Sequence, residues 1–388
     1  MPELQTELDL GDTVATRRPA AGIAWGLSGI ATLIWLAAIT ALGFGGRVLD
    51  NWRSALTMLF GSFLAGSSPE GGGAVAFPVF TKGLHVSGPV ARTFGLSIQA
   101  VGMSMAVVAI VLYRRAIHVR AAIVGSIAAV AGFMMSIAIF GNSDLPFWPS
   151  SIGTHWVKAT FSIVLATTSI LMVRHLRQHQ DPEFAVHAAV PWTRRVETCF
   201  VFVAFAGGLL SSLTGTGVNV LVFLFLVVLI GVNPKVALPT AIVVMTVVSV
   251  VGFVLFALID RQLDIELVGD RVVSVAGQAF DGKASEADLL GLWLAAVPVV
   301  VWGAPLGSFV AERVHESWLV RFVAVLAAVE VVTTIVLVRE LRSEPALIAY
   351  LAVGLVVLPG TFIWVGRHRH RLLGPPPSRP TGGSVSQL

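Results

Sequence analysis

The chain has 388 residues, 55% hydrophobic and only 12% charged, with a mean hydropathy of +0.84. A soluble domain carries about 25% charged residues to cover its surface, so a soluble globule is excluded and most of this surface must face lipid. The net charge of +4 and the pI of about 9.7 do not mark a nucleic-acid binder, because Lys and Arg cluster at the ends of apolar runs, as membrane topology requires.

Residues 1–20 read as a cytoplasmic tail. They carry Glu3, Glu7, Asp9 and Asp12 and lack the basic-then-apolar order of a cleaved signal peptide. Full spans are expected at roughly 22–43, 92–113, 121–140, 156–173, 236–259, 289–310, 319–338 and 346–366. These runs are near the length that crosses a hydrocarbon core of roughly 30 Å. Two further regions, 54–85 and 198–231, are apolar but interrupted. The first holds Ser67, Ser68, Pro69, Glu70 and three consecutive glycines, Gly71, Gly72 and Gly73. The second holds Thr214, Gly215, Thr216, Gly217 and Asn219. Each is read as a re-entrant pair of half-helices or as two short tilted spans, and either way it enters and leaves on one side. The loop 260–288 is polar and expected to have little structure. The Pro- and Gly-rich tail 374–388 reads as disordered.

Arginine placement tests this layout. Arg17 and Arg18, then Arg114, Arg115 and Arg120, then Arg174, Arg177, Arg194 and Arg195, then Arg313 and Arg321, and finally Arg367, Arg369 and Arg371 form five clusters. All five reach the cytoplasm if each interrupted region counts as an even crossing. Both termini are then cytoplasmic, and the segment around Asp144 and the 260–288 loop lie outside. Three spans separate the interrupted regions, so the first opens from outside and the second from inside. That is an inverted repeat with an interruption in each half, the sequence pointer to a transporter site. At an offset of 146, Gly61/Gly207, Leu64/Leu210, Gly71/Gly217, Phe77/Phe223, Val86/Val232, Val90/Val236 and Ala91/Ala237 coincide. The chain therefore divides into a tail (1–20), the first span with the first repeat (21–197), the second repeat (198–345), a last span with a basic anchor (346–373) and the terminal tail (374–388). The fold class is an all-α polytopic membrane protein.

In lipid every backbone N–H and C=O needs a partner, so a Gly-rich break is tolerated only against protein or a water-filled cavity. The helical piece after each break starts there with free N–H groups and the positive end of its dipole. Two such starts converging from opposite sides suit an anion. Ser67, Ser68, Thr214, Thr216 and Asn219 add hydroxyl and amide groups, and Gln99 lies in the pathway region of its span. The competing reading of the glycines is close helix packing. Glu70 either carries a proton with the substrate or closes a capping box with Ser67; the two can both hold. Arg92 and Lys82 either steer anions inward or snorkel at the interface. His155 and Lys158 read as interface anchors, as do His368 and His370. A single cysteine, Cys199, excludes an intrachain disulfide and a multi-cysteine metal site. No nucleotide loop and no catalytic constellation occurs, so no enzyme activity, metal or cofactor is expected, and any active transport is secondary.

The stretch Gly61–Pro78, followed by Gly83 and Val90–Thr93, and the stretch Gly208–Asn219, followed by Gly231–Ala237 and Thr240, resemble the repeated segment of the TauE/SafE sulfite exporter family, also called the toluene-sulfonate uptake permease family. The likeness covers most of 54–340 and is specific in these two segments. Thr216 and Val218-Asn219 stand where that family more often continues glycines, and Glu70 resembles a subgroup feature. The resemblance implies a bacterial inner-membrane secondary transporter of sulfite or an organosulfonate, coupled to protons. Its expected partners are a small anion, protons and the bilayer, with a homodimer left open. A passive anion channel and a non-transporting scaffold or sensor are the alternatives.

Overall fold

The computed structural model describes residues 18–84, 86, 88–140, 154–179, 192–259, 263, 265–268, 271–275, 278–279, 288–314, 316–337 and 344–368. The expectations for residues 1–17, the Asp144 segment, Arg369, His370, Arg371 and the tail 374–388 lie outside the described residues. Helix α1 spans Arg18–Leu42 and the short α2 Gly45–Asp50. The first interrupted region is α3 (Trp52–Ser67), a break, α4 (Gly73–Pro78) and a π-helical turn at Val79–Gly83. Helices α5 (Gly88–Leu112), α6 (Val119–Phe140) and α7 (Thr154–His179) follow. The second region repeats the plan as α8 (Arg194–Thr214), a break, α9 (Val218–Leu224) and a π-helical turn at Phe225–Leu229. Then come α10 (Pro234–Gly252), continued by π-helical Phe253–Ile259, α11 (Leu289–Arg313), α12 (Glu316–Leu337) and α13 (Pro345–Arg367).

Eight described helices are long and apolar enough to cross a membrane: α1, α5, α6, α7, α8, α10, α11 and α13. Seven of the expected spans coincide with these, and the remaining one, 319–338, falls on α12. Local chemistry sets several starts. Asn233 accepts the Lys235 N–H ahead of Pro234, Thr193 accepts that of Val196, and Asp288 accepts that of Gly291.

Contacts fix the helix directions. Ser54 donates to the Leu292 carbonyl near the start of α11, and Gly66 lies against Ala304 and Ser308 further along, so α3 runs parallel to α11. Gly102 lies against Val300, and Arg115, just after α5, pairs with Glu312 at 3.3 Å, so α5 is parallel to α11 as well. In the other repeat, α8 is parallel to α6: Arg120 pairs with Glu197, and Gly208 lies against Ala129 and Phe133. The His118 N–H donates to Thr240 while Gly252 lies against Phe133, which makes α10 parallel to α6. The two sets oppose one another, since Leu96 meets Gly252 and Arg92 meets Phe256.

Two conclusions follow. The repeats are inverted, and each re-entrant arm packs on the third helix of the other repeat. Because α3 and α5 start at the same face, the chain must return to that face between them through α4; α9 does the same for the second repeat on the opposite face. Both interrupted regions are re-entrant. Helix α1 runs against α11, with Ser28 donating to Val301 and Trp35 to Leu294. Helix α13 begins where Glu344 meets His155 and ends with Gly366 beside Val228. The N-terminal end of α1 and the C-terminal end of α13 therefore share the face that carries Arg115, Arg120, Arg194, Arg195 and Arg313. Helices α1 and α13 bury only 17% and 22% of their spans against 56% and 61% for α5 and α11, so the former are the lipid-facing periphery.

One expectation is corrected. The 260–288 loop carries an antiparallel meander of β1 (Ile265–Val268), β2 (Arg271–Val275) and β3 (Gln278–Ala279). Val268 pairs with Arg271 in the antiparallel register of β1 and β2. The polar average of the loop hides its β-branched stretches.

Candidate functional site: the crossing of the two breaks

In the first break α3 ends at Ser67. Ser68 is extended, with its hydroxyl donating to the Leu64 carbonyl at 3.1 Å, and Gly71 takes φ +70°. Helix α4 starts after Gly72 with no side-chain cap. The capping box expected of Ser67 and Glu70 therefore does not form, because Ser67 belongs to the preceding helix. Ser67, Ser68 and Glu70 are all fully buried.

The second break turns on Gly215 (φ +80°) and Gly217 (φ +130°). Here the expectation of free N–H groups is corrected in part, since side chains from the same segment occupy three. The Thr214 hydroxyl accepts the Thr216 N–H at 3.3 Å, Asn219 Oδ1 accepts that of Gly217 at 3.2 Å, and the Ser211 hydroxyl accepts that of Val218 at 3.0 Å. Ser211 was not singled out from sequence; it lies within a regular helical run, and its role depends on the chain folding back over it.

The two breaks touch. The Thr216 hydroxyl donates to the Glu70 carbonyl at 3.3 Å, although the residues are 146 apart, the repeat offset. A Cβ on Gly73 would lie 2.6 Å from Thr216 Cβ, and one on Gly71 would lie 2.7 Å from Asn219 Nδ2. Gln99, midway along α5, donates to the Gly215 carbonyl at 2.8 Å. Ser67, Ser68, Glu70, Gly71, Gly72, Gly73, Gln99, Thr214, Gly215, Thr216, Gly217 and Asn219 thus gather on the two breaks and the helix that backs them. Backbone partners set both amides: a C=O must face the Gly217 N–H, and an NH₂ must face the Gly215 C=O. That leaves one donor, Asn219 Nδ2, and one acceptor, Gln99 Oε1, buried and without a hydrogen-bond partner among the described residues. Both adjoin Gly71. A buried polar atom left this way costs about 1–3 kcal/mol, so the pair implies a further ligand or water at the crossing.

Arg92 is 1% exposed, which excludes snorkelling at the interface. Its guanidinium lies 3.8 Å over the Phe256 ring and reaches the Ser212 carbonyl at 3.4 Å, while its backbone packs on Gly215. It brings positive charge to the back of the second break from the side on which α5 begins. Lys82 lies apart, in the π-helical turn on the face away from the arginines, bonded to Thr334 at 2.7 Å. Lys158 donates to the neighbouring Thr81 carbonyl. Among the described residues no group of three or more His, Cys, Asp or Glu could hold a metal ion.

Inverted re-entrant hairpins meeting at mid-depth define a class of polytopic membrane protein built around a central site. The protein-family model of Sulfite exporter TauE/SafE matches residues 54–334, and the chain belongs to that family. At family level it is a multi-pass membrane transporter of sulfur anions. No curated protein and no solved structure matches the chain.

Proposed function

We propose that the protein is a proton-coupled secondary transporter of sulfite or a small organosulfonate across the bacterial inner membrane, with both termini cytoplasmic. The observation that carries this reading is the contact of the two breaks at the repeat axis, Thr216 on Glu70. There the anion is held by backbone N–H groups that open the returning helices, above all those of Gly71–Gly73, and by Ser67, Ser68, Thr216, Asn219 and Gln99. Arg92 adds charge from behind, and Lys82 draws anions toward the mouth on the face where α5 begins. The polar groups left at Gly71 and the full burial of a carboxyl there support a site whose occupant arrives with a proton. Glu70 carries that proton, and the inverted arms give two related half-openings about one site.

The test is uptake of labelled sulfite and organosulfonates into proteoliposomes, with and without an imposed pH gradient. Gradient-driven accumulation of one anion is expected. Glu70→Gln should remove the pH dependence and leave the protein folded; a Gln variant that accumulates substrate as the wild type does overturns the role of Glu70. Equilibration without accumulation would mean a channel, and no flux of any anion would mean that the breaks only pack.

A further inference from the structure

The turn that ends α5 leaves two donors without acceptors. Tyr113 Oη and Arg115 Nε are buried and have no hydrogen-bond partner among the described residues. Arg115 is otherwise engaged with α11: its Nη2 donates to the Ser308 carbonyl and pairs with Glu312 at 3.3 Å, and its side chain is 10% exposed. Arg114 takes φ +49°, the one non-glycine residue at positive φ among the described residues, and the Arg115 N–H returns to the Ile110 carbonyl at 3.0 Å. A left-handed turn without glycine is strained; here it folds Arg115 back over the end of α11. The Arg115 guanidinium carbon lies 6.0 Å from the centre of the Tyr113 ring, and that ring lies 6.2 Å from Phe309. The Arg313 guanidinium sits 3.5 Å over the Phe309 ring.

The chemistry of the open atoms narrows what could meet them. Burial pushes the Tyr113 hydroxyl above its ordinary pKa, so it stays a donor at neutral pH. A guanidinium offers donors alone. Both atoms therefore call for an acceptor. The two guanidiniums of Arg115 and Arg313 outnumber the Glu312 carboxylate beside them, which favours an anionic one, and phosphate is the anion whose oxygens suit an arginine fork. On α11, Trp302, Leu306, Phe309 and Arg313 recur at helical spacing on one face. Trp302 and Leu306 are exposed. Trp25 of the lipid-facing α1 stacks on Trp302 at 5.9 Å and meets Phe309 edge-on at 6.4 Å. An apolar strip thus runs from the charged end toward bilayer depth, which suits a phosphate with acyl chains attached better than a free one.

We infer that Tyr113, Arg115 and Arg313 hold the phosphate of an anionic phospholipid whose chains lie along Trp302 and Leu306, on the face that carries the arginine clusters. Basic pockets at helix ends on one side of the membrane recognise lipid headgroups in this way. The site is apart from the crossing of the breaks, since Gln99 lies roughly 20 Å of helix before Leu112. It stands whatever the transported solute.

The test uses the full chain, purified and stripped of lipid in a neutral detergent. Phosphatidylglycerol, phosphatidylcholine and inorganic phosphate are the probes, and bound lipid is counted by native mass spectrometry. Phosphatidylglycerol should bind about tenfold tighter than phosphatidylcholine or better, and inorganic phosphate should not displace it. Tyr113→Phe, which removes only the hydroxyl, and Arg313→Gln, at an exposed residue, should each weaken phosphatidylglycerol by about tenfold, the scale of one hydrogen bond to a charged group. Neither should change phosphatidylcholine binding. Tyr113→Phe should not lower the lipid-free melting temperature, because the hydroxyl it removes is unpartnered; either variant carries the test if the other does not fold. Equal affinity for the two lipids overturns the inference. So does a phosphatidylglycerol preference that both variants keep, which would belong to the other arginine clusters and leave water on Tyr113 and Arg115. Displacement by inorganic phosphate overturns the lipid as occupant and leaves a site for the free anion.

Discussion

Asn219 is the residue at which packing and binding separate. Its Oδ1 is committed to the Gly217 N–H, whereas its Nδ2 faces Gly71 with no partner among the described residues. Asn219→Asp keeps the shape and the committed oxygen but replaces the donor with an anionic oxygen. If Nδ2 serves an anion, this variant should fold and lose transport by about 100-fold or more, since an unfavourable buried charge contact costs about 2–5 kcal/mol. Uptake measured alongside thermal unfolding checks it, and near-normal uptake in a folded Asp variant would leave Asn219 with packing alone. The site was legible to this depth because Glu, Asn, Ser, Thr and clustered Gly inside apolar stretches cannot face lipid. Ser211 was not, and Arg92 was legible as a charge but not in its placement behind the second break, because a residue in a regular helix shows its partner only when the opposing helix is known.

At the scale of elements, the inverted repeat is built from matched parts. The π-helical turns Val79–Gly83 and Phe225–Leu229 share one offset, 146, and so do the starts of α5 and α10. Even single bonds recur: the Leu84 N–H reaches Val79 and that of Ile230 reaches Phe225; the Val86 N–H reaches Phe80 and that of Val232 reaches Leu226. The glycine pairs in the sequence pointed to the repeat, but the π-helical turns left no compositional trace, since one holds Lys82 where the other holds Val228. The arms are seated by glycine. Gly307 of α11 lies on the Phe63 carbonyl, and Gly132 of α6 on the Phe205 carbonyl, where a Cβ would overlap the backbone. Gly132→Ala and Gly307→Ala should each destabilise by about 1–3 kcal/mol, the cost of overpacking a close contact. Gly360→Ala in α13, where a Cβ meets nothing within 4 Å, should not. Thermal unfolding in detergent distinguishes them, and equal melting temperatures for all three would deny the seams their role.

For the whole molecule, the arginine clusters and the helix directions are independent lines that agree. Placing arginines by side required each interrupted region to be an even crossing, and the contacts between helices make each one re-entrant without reference to charge. Their agreement separates two faces: α2, the meander and the start of α13 on one, and the 113–118 turn and the start of α10 on the other. This yields a direct test of the inverted topology. In a Cys199→Ser background, Leu49→Cys in α2 is 73% exposed on the first face, and Lys235→Cys is exposed on the second. An impermeant maleimide added to intact cells should label Leu49→Cys at once and Lys235→Cys only after permeabilisation. Labelling of both before permeabilisation would sink the inverted arrangement, and with it the idea that one site is reached in turn from two sides. The opposite sidedness would keep the fold and reverse its orientation.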